Sequence, residues 1–138
     1  MLSEKLEVGH SAERDIVVSH EMTAEALGNH GATVMATPTL VQYLELVSID
    51  ALGPAIEKGE ISLGTAMSIR HIAATPVGGH IHLKAVVTEM EGRRVSFEVT
   101  AYDDLELVAE GTHDRAVVNQ ERFFQGIDKK RLELGLSE

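Results

Sequence analysis

Two periodicities divide the chain. In "TPTLVQYLELVSIDALGPAIEKG" the residues Leu40, Leu44, Val47, Ala51 and Ala55 share one face at helical spacing. Thr37 and Pro38 make a fitting N-cap and first-turn pair and Gly59 a fitting stop, which predicts a helix of about twenty residues. Leu46 and Ile49 point away from the main stripe, so the helix is apolar nearly all round and needs cover on more than one side. Gly53-Pro54 should kink it or mark its last turns. Beyond Gly59 the period falls to two, with strands expected at roughly 62–73, 79–90, 93–103 and 105–119. The first of these places Leu63, Thr65, Met67, Ile69, His71 and Ala73 on one face, with Ser68 and Arg70 on the other, so an ionisable imidazole ends a core-facing row. Next, Ile81, Leu83, Ala85 and Val87 alternate with His80, His82, Lys84 and Val86; then Val95, Phe97, Val99 and Ala101 alternate with Ser96, Glu98, Thr100 and Tyr102. "MEGRR" and "YDDLE" read as hairpin turns.

Ahead of the helix, "RDIVVS" (14–19) reads as a short strand, and Glu21 to Thr33, with its "GNHG", as a loop or short irregular helix. The order is one strand, one long helix, then four antiparallel strands. That is an α+β pattern in which one sheet wraps around an apolar helix, within a single domain over 1–138. One layer cannot cover such a helix, so a homodimer or higher homo-oligomer is expected.

Composition narrows the partners. A formal net charge of -10 argues against nucleic acid or an anionic membrane. Aromatics at 4% leave little for base stacking, and zero cysteines remove disulfides, thiolate metal sites and Cys nucleophiles. The first twenty residues lack a signal-peptide apolar core and no apolar run could span a bilayer, so a cytoplasmic protein is expected.

The stretches "VMATPTLVQYLE", "SLGTAMSIRHIAATP", "EGRRVSFEVTAYD" and "GTHDRAVV" together resemble the fluoroacetyl-CoA thioesterase family of hot-dog-fold thioesterases. The resemblance covers about two-thirds of the chain and implies the hot-dog fold. It implies an acyl-CoA thioesterase with Thr37, Glu45 and His71 as the catalytic group and Gly64 and Arg115 as substrate contacts. It also implies sites at the interface between subunits, with coenzyme A entering as part of the substrate and neither cofactor nor metal needed. Hydrolysis of a thioester asks for a positioned base or nucleophile and an oxyanion donor. The residues fit in part. Thr37 sits where backbone N–H groups of a helix start lie open. Glu45 lies at the edge of the apolar arc, about 100° from Leu44; a carboxylate there has a raised pKa unless paired, and the His71 imidazole is a fitting partner. Whether Glu45 attacks directly or His71 activates water is left open.

Each residue also has a plainer reading: Thr37 as an N-cap, Glu45 as a solvated or salt-bridged helix residue, His71 as a hydrogen-bonded core histidine, Gly64 as a bulge or close packing against the helix, Arg115 as a strand-end ion pair. The corresponding alternative is a non-catalytic hot-dog protein that binds an acyl-CoA or other acyl ligand. A hydratase is disfavoured by the lack of a matching Asp/His helix motif. His80 and His82 share a face but alternate with apolar residues and lack a third ligand, so they are read as solvent-facing. Adjacent His113 and Asp114 point to opposite sides of a strand, and Arg93-Arg94 reads as a solvated turn or a contact for CoA phosphates. "EALGNHGATVMA" has no phenylalanine where the family's namesake has an aromatic lid, and Pro38 replaces a small flexible residue. A short- or medium-chain acyl-CoA is therefore the expected substrate, rather than fluoroacetyl-CoA specifically.

Overall fold

Two-residue alternation, unbroken from Ile81 to Val87 and from Val95 to Ala101, produces a sheet with one apolar face, and the long apolar helix is what that face covers. The computed structural model describes residues 2–136. Its elements are α1 (Leu2–Lys5), β1 (Ser11–Val17), α2 (Thr37–Leu52), β2 (Glu60–His71), β3 (His80–Glu91), β4 (Arg94–Asp103), β5 (Leu107–Asn119) and α3 (Gln120–Glu133). Short 3₁₀ turns lie at His20–Met22 and Gly53–Ala55. All strand pairs are antiparallel, in the order β1-β3-β4-β5-β2, so β1 and β2 are the edges. The expected inward rows of β3 and β4, Ile81 to Val87 and Val95 to Ala101, are fully buried against Leu40, Leu44, Val47 and Ala51 of α2. Each buried Leu, Ile or Phe among them contributes about 1.5–3 kcal/mol by leaving water.

Three expectations need correcting. Thr37 is not the N-cap: Ala36, with extended backbone, takes that position, Thr37 opens the first turn and Pro38 follows. The hydroxyl of Thr37 is thereby released from capping. The helix stops at Leu52 rather than near Gly59, because Pro54 has no N–H to continue the ladder and the chain tightens into a 3₁₀ turn. Finally, β2 does not keep one alternation throughout. Gly64 pairs with Arg115 and Ala66 with Asp114, leaving Thr65 as the extra residue of a bulge. Ser62 and Gly64 therefore lie opposite the buried Val117 and Arg115, and beyond the bulge Met67 and His71 lie opposite the buried His113 and Ala109. Leu63 and Thr65 do not share the face of His71.

α2 leaves a surface that the sheet does not reach. Ile49 is 40% exposed, and Val41 and Leu46 are only half-buried. The C-terminal helix α3 was not signalled by any apolar stripe. It starts where the Asn119 side chain accepts the Arg122 N–H at 2.8 Å and runs exposed along its length.

Candidate active site

The start of α2 is fixed by the segments on either side. The Met35 N–H donates to Thr75 O and the Ala36 N–H to Met22 O, each at 2.8 Å. Thr75 is itself buried and donates to the Asp103 carboxylate at 3.0 Å. β2 ends close by, its continuation held by the Ile72 and Ala73 N–H groups on Val108 O. These anchors bring residues 34 apart together: Thr37 Oγ1 lies 2.8 Å from His71 Nδ1. Burial pushes the His71 pKa below that of a free imidazole, with a backbone contact at Ala73 opposing it. Its other nitrogen, Nε2, is buried and has no hydrogen-bond partner among the described residues. The ring thus meets a hydroxyl at a helix start through one nitrogen and leaves the other, buried, without a partner among the described residues.

Glu45 lies elsewhere in the same chain. Within its own chain its partner is a guanidinium: Arg115 Nη1 donates to Glu45 Oε2 at 3.0 Å. Arg115 is buried, its side chain only 4% exposed against 41% for Glu45. Burial lowers the Arg115 pKa and the carboxylate opposes that shift. Two further bonds hold the guanidinium, from Nε to Ser62 Oγ and from Nη2 to Ser62 O, both 3.0 Å. The carboxylate reaches it across Gly64, where a Cβ would collide with Glu45 Oε2. Gly64, Glu45 and Arg115 therefore form one group and Thr37 with His71 another. Eight helical residues separate the two along α2, about 12 Å of axis.

Two participants were missed from sequence, Ser62 and His113. The buried His113 lies on the inward face of β5 with Arg115, and Nη1 of that arginine also meets His113 Nε2 at 3.2 Å. The available signal was the spacing of two in "HDR", which puts His113 beside Arg115 rather than Asp114. His80 and His82 do face solvent, as expected, but are paired. His80 bonds Asp15 (2.7 Å) and Asp104 (3.0 Å), and His82 bonds Asp15 (2.9 Å) and Glu13 (3.0 Å). No metal-binding cluster occurs among the described residues. Arg93 is tied to Glu60 and to Val117 O.

The family model for fluoroacetyl-CoA-specific thioesterases matches residues 18–121, a span that contains every residue of both groups. The chain belongs to this family. It is 40% identical over 97 residues to the fluoroacetyl-CoA thioesterase of Streptantibioticus cattleyicolor, covering 70% of each chain. A crystal structure of a point variant of the fluoroacetyl-CoA-specific thioesterase, in complex with fluoroacetate and CoA, superposes with a TM-score of 0.82 at 36% identity, over 86% of this chain and 99% of that one. A thioesterase superfamily member from Thermus thermophilus superposes with a TM-score of 0.82 at 30% identity, over 94% and 97% of the two chains. The hot-dog fold expected from the motifs is therefore the fold of this fluoroacetyl-CoA-specific thioesterase family member, and its class is thioester hydrolase. No helix among the described residues is long and apolar enough to cross a membrane.

Proposed function

We infer that the chain hydrolyses acyl-CoA thioesters with a short acyl group, and that two copies share each site. The observation that carries this reading is the 2.8 Å approach of Thr37 Oγ1 to His71, whose pKa burial lowers, at the start of α2. The first N–H groups of a helix have no partner inside it and its dipole favours negative charge there, which suits the oxyanion formed as the thioester carbonyl is attacked. His71 takes a proton from a water held beside the Thr37 hydroxyl. The new oxygen–carbon bond forms, the carbon–sulfur bond breaks, and the proton passes to the departing sulfur of CoA. Glu45 supplies the negative charge that stabilises the imidazolium. Since its own chain holds it about 12 Å along the helix from Thr37, the Glu45 that serves a given His71 belongs to the other copy. Gly64 and Arg115 hold that carboxylate and border the acyl group. The CoA portion is bound as substrate, with no cofactor, and the protein acts in solution as at least a homodimer in the cytoplasm.

Thiol release from a panel of acyl-CoAs tests the reading. The parent should release CoA from two-carbon and somewhat longer acyl groups, while His71→Ala and Glu45→Gln lose about 10²–10⁴-fold in turnover with melting curves close to the parent. Because burial lowers the His71 pKa, the rate should hold at neutral pH and fall only in the acid range below the ordinary imidazole value. Equal turnover in all three proteins, or no thiol release by the parent from any acyl-CoA, would remove the assignment.

A further inference from the structure

We propose that His113 is a positioning residue, a neutral imidazole that latches Arg115 and through it fixes the Glu45 carboxylate; this rests on the reading of Glu45 as part of the reacting site. His113 is 2% exposed. It stacks near Phe97, ring centroids 6.2 Å apart. Its Nδ1 lies 2.8 Å from Ala66 O, and a carbonyl oxygen can only accept, so Nδ1 carries the proton. In the neutral ring Nε2 is then a bare lone pair, and it faces Arg115 Nη1 at 3.2 Å. That same Nη1 donates to Glu45 Oε2. The nitrogen that orients the carboxylate is therefore held from two sides, by the ring and by the carboxylate. Ser62 fixes the rest of the guanidinium.

Protonating His113 removes the only acceptor it offers and sets a second cation against the guanidinium. The charged groups facing it are Arg115 on its own strand, Glu45 from α2 and the neighbouring Asp114; the β2 partners are neutral. Burial, with the Arg115 charge acting in the same direction, holds the ring's pKa below the ordinary imidazole value, while the bond to Ala66 and the charges of Glu45 and Asp114 oppose. Two imidazoles must then be neutral for turnover, His71 as base and His113 as latch.

Two substitutions separate the latch from mere filling of the core. His113→Phe keeps ring volume and removes both bonds; turnover should fall by about 10²-fold, the cost of a carboxylate moved by an ångström, with KM nearly unchanged. His113→Gln places an amide oxygen near the Nε2 position and cannot titrate. It should restore most of the turnover that the phenylalanine loses. On the acid limb, log kcat against pH should approach a slope of two in the parent and one in His113→Gln. Identical acid limbs in parent and His113→Gln, or parental kcat in a folded His113→Phe, overturn the proposal. If the phenylalanine variant does not fold, the acid limb of His113→Gln decides alone. Glu45→Gln measured alongside distinguishes the two levels: full activity there defeats the reading of Glu45 and the latch with it, whereas a slow Glu45→Gln with unaltered His113 limbs defeats the latch only.

Discussion

A methyl group at position 64 would occupy the space that the Glu45 carboxylate uses to reach Arg115. Gly64→Ala should therefore displace the carboxylate, lowering turnover by about 10²-fold, and should cost about 1–3 kcal/mol as overpacking; denaturant melts beside thiol-release kinetics read both. A variant with parental turnover would mean that the carboxylate is not required where Arg115 holds it. At this scale the sequence was legible where a polar side chain interrupts an apolar pattern, as at Glu45 and His71. The partners were not legible. The bond from Arg115 to Glu45 spans 70 positions and leaves no local trace in either segment. Thr37 was placed correctly beside the helix start, but its hydroxyl serves His71 instead of the helix.

Elements were legible in proportion to their periodicity. β3 and β4 lie within one residue of their expected bounds because alternation from Ile81 to Val87 and from Val95 to Ala101 is unbroken. β2 was legible as a strand, with a bulge at Gly64 among its readings, but its two half-strands of opposite phase were not, since the extra Thr65 is defined only by its pairing with β5. α3 escaped because an exposed helix need not carry an apolar stripe. The β1–β3 seam gives a prediction of its own. His80 and His82 have raised pKa values through bonds to Asp104, Asp15 and Glu13, and Asp15 is lowered by the two histidines. A raised imidazole contributes its stability below the unfolded value of about 6.5 and loses it as pH rises through the folded value. A lowered carboxylate contributes above its unfolded value and loses it in acid. The seam should stabilise most between the ordinary carboxylate and imidazole ranges. Melting temperatures of a His80→Gln/His82→Gln double variant should fall furthest below the parent in that window, with the gap closing toward alkaline pH. A gap that is constant across pH would show that the ion pairs contribute nothing.

Over the whole molecule, β2 forms one edge of the sheet while carrying Gly64 and His71, and α2 keeps Ile49 in solvent. Both features favour a second copy, and the proposed sharing of the site between copies is testable by complementation. Glu45→Gln and His71→Ala chains, each inactive alone, should regain about half the parental activity in the isolated heterodimer, because one of its two sites is then intact. Sites built within single chains would leave the heterodimer inactive. The glycine window has a further consequence for how such a chain can be rearranged. Glu45, Gly64 and Arg115 come from α2, β2 and β5, and none can be exchanged without the other two. A chimera that takes β2 from a donor with any side chain at position 64 brings that side chain against a carboxylate evolved to pass over bare backbone. In recombination among relatives, these three segments have to travel as one cassette.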